Sequence, residues 1–131
     1  MLQLATRLYA YIGNRRPVIV LIGGASGSGK STLAVSLAAS CYMQLVSSDN
    51  IRHIMRNFIS KQESPFIFSS TYDSYHLIKD EGLTLEQRTI MAYLKQCKEV
   101  QRELMNVLRH WHAGGRWVVV EGVHITPEFI E

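Results

Sequence analysis

Gly23-Gly-Ala-Ser-Gly-Ser-Gly-Lys-Ser-Thr32 decides how the rest of the sequence is read. Gly24 to Ser31 matches G-x-x-x-x-G-K-[ST], the phosphate-binding loop pattern. Val18-Ile-Val-Leu-Ile22 precedes it and reads as a buried strand, being short, apolar and β-branched. Leu33 to Ser40 follows with no Gly or Pro and reads as helix. Gly24, Gly27 and Gly29 let the backbone approach an anion, so that the loop N–H groups form a cup. The helix that starts there turns its positive dipole end to the same anion. The predicted nucleotide contacts are therefore Gly24, Ala25, Ser26, Gly27, Ser28, Gly29, Lys30, Ser31 and Thr32. Lys30 is placed to reach the β- and γ-phosphates of ATP, and the Ser31 hydroxyl to ligate Mg²⁺. A glycine-rich turn that binds nothing is the competing reading.

Working outward, the 131 residues suggest one α/β domain. A 47% hydrophobic content argues against disorder. The net charge of +3 comes from scattered Lys and Arg. It suits a small anionic substrate, and no nucleic acid partner is expected without a basic stripe. Cys41 and Cys97 show no metal spacing and read as reduced core residues of an intracellular, cytoplasmic protein. No apolar run is long enough to span a membrane, so no membrane partner is expected.

Met1 to Ile12 reads as a short amphipathic helix, and Arg15-Arg16 as an exposed turn or a phosphate contact. Leu33, Ala34, Leu37, Ala38 and Cys41 share the helix face expected to meet the sheet. Gln44 to Ser47 is the second strand. Asp49 lies at its carboxyl end, where open α/β sheets bind ligands, and also reads as the N-cap of a helix over about Asn50–Ile59. Arg52 and Arg56 share a face of that helix; an Arg fork suits phosphate or carboxylate, a solvated face being the alternative. Phe66 to Tyr72 reads as short helices or a lid-like loop, with Ser69, Ser70 and Thr71 as substrate contacts or as caps for a helix to about Lys79. A long helix spans about 84–112, opened by a Thr84/Gln87 capping box, with Ile90, Leu94, Cys97, Leu104, Leu108 and Trp111 as its apolar stripe. Trp117 to Glu121 is a third strand, continuous in apolar residues up to Val120 and hence read as buried. Glu121 at its end is expected to hold Mg²⁺ through water; His124 is either a substrate donor or a structural histidine.

Four blocks together resemble the 2-phosphoglycerate kinases: Gly23–Thr32, Ser47–Arg56, Pro65–Tyr72 and Val118–Ile130. Within that family the resemblance is closest to the plant and related eukaryotic proteins linked to phytic acid accumulation. Arg88 to Val100, with Tyr93, Gln96 and Glu99, is similar to them as well. The resemblance implies a P-loop three-layer α/β/α fold with a parallel sheet of order 2-3-1-4-5. It also implies transfer of the ATP γ-phosphate to a hydroxyl of a small phosphorylated acceptor. On that analogy Lys30, Asp49 and Arg52 are the catalytic set, Asp49 orienting the acceptor hydroxyl. Arg52, Arg56, Ser70, Thr71 and His124 would face the acceptor, and Ser31 and Glu121 the metal. The family pattern continues beyond a third strand, so residues 1–131 are expected to form the first part of such a domain. The first strand would then be an exposed edge open to self-association. Other classes that fit the residues are a nucleotide-binding regulatory module, an NTPase that uses water as acceptor, and an inositol-phosphate kinase.

Overall fold

In the computed structural model, residues 17–129 are described. The helix expected over Met1–Ile12 and the Arg15-Arg16 turn lie outside the described residues. Strand β1 (Ile19–Gly23) leads through the glycine loop into helix α1 (Lys30–Cys41). Strand β2 (Gln44–Ser47) runs directly into α2 (Ser48–Met55), and a one-turn helix α3 spans Pro65–Phe68. The long helix α4 (Leu85–Ala113) then leads to β3 (Val118–Gly122). Two 3₁₀ turns complete the described elements, at Ser74–Leu77 and Pro127–Phe129.

The three strands are parallel in the order β1-β3-β2, which is the 2-3-1 part of the expected sheet. In register, Leu21 and Val46 both flank Val120, and Ile22 and Ser47 both flank Glu121. All of β3 is buried, as its unbroken apolar run predicts. Full burial of Val118, Val119 and Val120 contributes about 1.5–3 kcal/mol per side chain relative to exposure. The expectation of a buried first strand is corrected: Ile19 to Ile22 are half-buried, because β1 is an edge of the described sheet.

Helix α1 covers one face of the sheet through Ala34, Leu37, Ala38 and Cys41, packed on Val119. Helix α4 covers the other through Leu104 and Leu108, against Val46, Val118 and Val120. Leu33, expected on the packed face of α1, is instead 40% exposed, since the described sheet is three strands wide beneath it. A third cluster joins Met55, Ile67 and Val100, so that α2 and α3 are held on the middle of α4.

At ~1.5 Å per residue, the 29 residues of α4 reach about 43 Å, well beyond a four- or five-residue strand. Its start is fixed by the capping box: Gln87 N–H donates to Thr84 Oγ1, and Thr84 N–H to Gln87 Oε1. Ile90 and Leu94 belong to the predicted stripe but lie beyond the sheet edge, 50% and 46% exposed. The buried residues of this end are Ala92, Gln96 and Cys97.

Candidate active site

The glycine loop has the backbone its sequence requires. Gly27 and Gly29 have φ of 77° and 82°, a region that a side chain at Cβ disfavours. Gly29 is also the N-cap of α1, and no side chain caps the helix there. The first N–H groups of α1 are thus left for a ligand, with the helix dipole behind them. Lys30 Nζ donates to the Ala25 carbonyl across the loop at 3.2 Å, in an exposed contact. Ser31 Oγ donates to Glu121 Oε2 at 3.0 Å, so the first turn of α1 and the end of β3 meet at one point. A hydroxyl and a carboxylate beside the glycine loop make an oxygen donor set of the kind that suits Mg²⁺.

Asp49 was expected to cap its helix. It lies instead in the first turn of α2, whose N-cap is Ser47, because strand and helix join without an intervening loop. Its side chain is 47% exposed and lines a cavity of about 1020 Å³. The loop residues Gly23, Gly24, Ala25 and Ser26 form one wall of that cavity, next to Asp49, Arg52, Ser70 and Thr71. Leu21, Tyr72, Ile90, Tyr93 and Leu94 give it an apolar side.

Arg52 donates through Nη1 to the Ser69 carbonyl at 3.2 Å while bordering the cavity. Burial and then the neighbouring Arg56 pull its pKa below the ordinary guanidinium value, and Asp49 opposes them. Arg56, expected to join it on the ligand side, has another place. Its Nε donates to the Ile67 carbonyl at 2.7 Å and its guanidinium stacks over Phe68, 5.9 Å from the ring centre. Both arginines therefore clamp the segment that carries Ser70 and Thr71.

His124 is also placed differently from a substrate donor. It is fully buried, with Nδ1 2.9 Å from Ser48 Oγ and Nε2 3.2 Å from Gln96 Oε1. The loop carrying it is pinned by Tyr93 Oη, which donates to the Val123 carbonyl at 2.6 Å, and by Gln101 Nε2, which donates to the His124 carbonyl at 2.7 Å. Gly122 is required where this loop meets α2. Its φ is 145°, and a Cβ there would collide with Ser48 Oγ.

Burial pushes the His124 pKa down to about 4; Asp49, 3.8 Å from Nδ1, raises it and Arg52 lowers it further. The unfolded chain therefore takes a proton below about pH 6.5 that the folded chain refuses until about pH 4. Stability is fully present above that window and falls as the pH drops through it, by at most about 1.4 kcal/mol per pH unit from this group. Urea unfolding at pH 7 and pH 5 measures the loss, and His124→Asn should flatten the difference. An equal slope in both proteins would contradict the assignment.

A family model described as an AAA domain (AAA_33) matches residues 18–122. The chain belongs to this AAA domain family. The matched span ends on Gly122, the last residue of β3, so the AAA domain takes in the sheet, the glycine loop and the Ser31–Glu121 contact. Among curated relatives, the 2-phosphoglycerate kinase of Methanocaldococcus jannaschii is 30% identical over 126 residues, 95% of this chain and 40% of the relative. That of Thermococcus kodakarensis is 33% identical over 113 residues, 86% and 38% of the two chains. An uncharacterized protein of Dictyostelium discoideum is 36% identical over 112 residues, 85% and 13% of the two. The chain thus spans about 40% or less of the length of these relatives. No solved structure matches it significantly. No described helix is long and apolar enough to cross a membrane.

Sequence reading by motif passed over Ser48 and Tyr72, and Gln96 entered only through the family resemblance. A signal for Gln96 was present: it is a polar residue set beside Cys97 and four before Val100, on the buried stripe of α4.

Proposed function

We propose that this chain carries the phosphate-binding part of a kinase that moves the γ-phosphate of ATP to a hydroxyl of a small phosphorylated acceptor, 2-phosphoglycerate or a close analogue. The observation that carries the proposal is one cavity bordered by both the glycine loop and the Asp49, Arg52, Ser70 and Thr71 group. A donor phosphate in the cup and an acceptor against Asp49 would then share one space, and phosphoryl transfer depends chiefly on such positioning and on charge stabilisation.

The loop N–H groups and Lys30 would bind the phosphates, Lys30 exchanging its Ala25 carbonyl for phosphate oxygens. Ser31 would hold Mg²⁺ directly and Glu121 through water; when bound, the ion neutralises charge on the phosphate oxygens. Asp49 would orient the acceptor hydroxyl and take its proton. Arg52 would bind the acceptor's phosphate, with Ser70 and Thr71 beside it. Buried free thiols at Cys41 and Cys97 support a reducing, cytoplasmic setting.

Charge favours a singly phosphorylated acceptor over an inositol polyphosphate. Arg52 is the cation on the described cavity lining, and Asp49 and Glu128 are carboxylates on it. Each further phosphate would meet those carboxylates without a partner, a repulsion of up to about 4 kcal/mol at 4 Å in a medium of effective dielectric 20. ADP release should rise at least about tenfold with 2-phosphoglycerate and stay at its basal rate with inositol hexakisphosphate, a gap of some 1.4 kcal/mol or more. Equal release with and without acceptor would instead make this a water-accepting NTPase. Nucleotide binding with no release would make it a regulatory module.

A further inference from the structure

Gln96 is fully buried on α4, yet it uses its whole hydrogen-bonding capacity. Its Nε2 donates to the Phe66 carbonyl at 2.6 Å and to the Ser69 carbonyl at 3.1 Å. Its Oε1 accepts from Thr71 Oγ1 at 3.0 Å and faces His124 Nε2 at 3.2 Å. Turning the amide over would set its oxygen against two carbonyl oxygens, so the orientation is fixed by the backbone of the 66–69 segment. Every proton in the network then has one position. Thr71 Oγ1 donates inward to Gln96. His124 carries its proton on Nε2 and offers a bare Nδ1, which accepts from Ser48 Oγ. Ser70 differs, because its Oγ accepts the Tyr72 N–H at 3.2 Å and keeps its own proton free.

We propose that Gln96 is a positioning residue that sets the hydrogen-bond polarity of the acceptor pocket. Thr71 meets a ligand only as a hydrogen-bond acceptor, and Ser70 meets it as a donor. The ligand that matches keeps its reacting hydroxyl on Asp49, turns a protonated phosphate oxygen toward Thr71, and sets anionic oxygens toward Ser70 and Arg52. The Ser69 carbonyl takes hydrogen bonds from both Gln96 and Arg52, so the same amide also steadies the arginine. The ligand part of this inference rests on the kinase function proposed above; the proton positions do not.

Two measurements test it separately. Nitrogen NMR of the unmodified chain with ¹⁵N-labelled histidine should show His124 as the Nε2–H tautomer at pH 7. A proton on Nδ1 would overturn the proposal whatever the chain catalyses. In transfer assays, Thr71→Val should raise the acceptor KM roughly tenfold, as expected for one lost hydrogen bond to the ligand. ATP affinity should stay the same, and Thr71→Ser should restore the KM to within about threefold. Gln96→Met should raise the acceptor KM as Thr71→Val does, and the double variant should be no worse than Gln96→Met alone. A normal KM in Thr71→Val, or additive effects in the double variant, would overturn it. Should Gln96→Met fail to fold, the Thr71 pair and the tautomer still decide. If the unmodified chain transfers phosphate to no acceptor, the functional reading falls and the tautomer decides alone.

Discussion

Asp49→Asn is expected to lower phosphoryl transfer by roughly 100- to 10,000-fold, the range for losing a positioned proton acceptor. Asn keeps the size of the side chain and its exposure to the cavity but cannot take the acceptor hydroxyl's proton. ATP affinity should change by no more than about twofold, because Lys30 and Ser31 make their contacts from α1 and Asp49 stands on α2. The neighbouring His124 gives the variant an internal control. Asp49 is the group that raises the His124 pKa, so removing its charge should lower that pKa further. Full transfer by a folded Asp49→Asn chain would sink the assigned role; a lower His124 pKa in the same sample would show that the substitution had taken effect.

Lys30→Ala should weaken ATP binding by roughly 10- to 100-fold, the loss that follows from one charge-assisted contact of about 1.5–3 kcal/mol. The fold should hold, since the Lys30 hydrogen bond is an exposed contact to a loop carbonyl rather than one into the core. Titration calorimetry of Mg-ATP with both chains reads the difference. Undiminished affinity in the variant would mean that the glycine loop is a turn and not a phosphate cup. The two substitutions therefore separate two functions: Lys30→Ala acts on donor binding and Asp49→Asn on the chemical step.

Features set by local backbone demands were legible in the sequence. The glycine loop requires positive φ at Gly27 and Gly29, which few residues other than Gly adopt, so its pattern and its shape are the same fact. The capping box at Thr84 is a three-residue relation, and β3 follows from an unbroken apolar run. The alternatives that sequence reading left open depend on distant partners. His124 is buried because Gln96, 28 positions away, and Ser48, 76 positions away, take both ring nitrogens. Arg56 turns to the Ile67 carbonyl, and nothing in its helical spacing from Arg52 distinguishes a ligand from a carbonyl. Periodicity assigned Ile90 and Leu94 to the stripe of α4 correctly but gave no information on where the sheet ends beneath it. Those two residues therefore line the cavity rather than the core.

Phosphorus NMR of the unmodified chain with Mg-ATP and 2-phosphoglycerate tests the central claim most directly. The γ-phosphate resonance should fall, ADP should grow in, and a second phosphate ester should appear on the acceptor in equal amount. Persistence of the γ-phosphate, or its appearance only as inorganic phosphate, would contradict a kinase that joins its glycine loop to an acceptor held by Asp49 and Arg52.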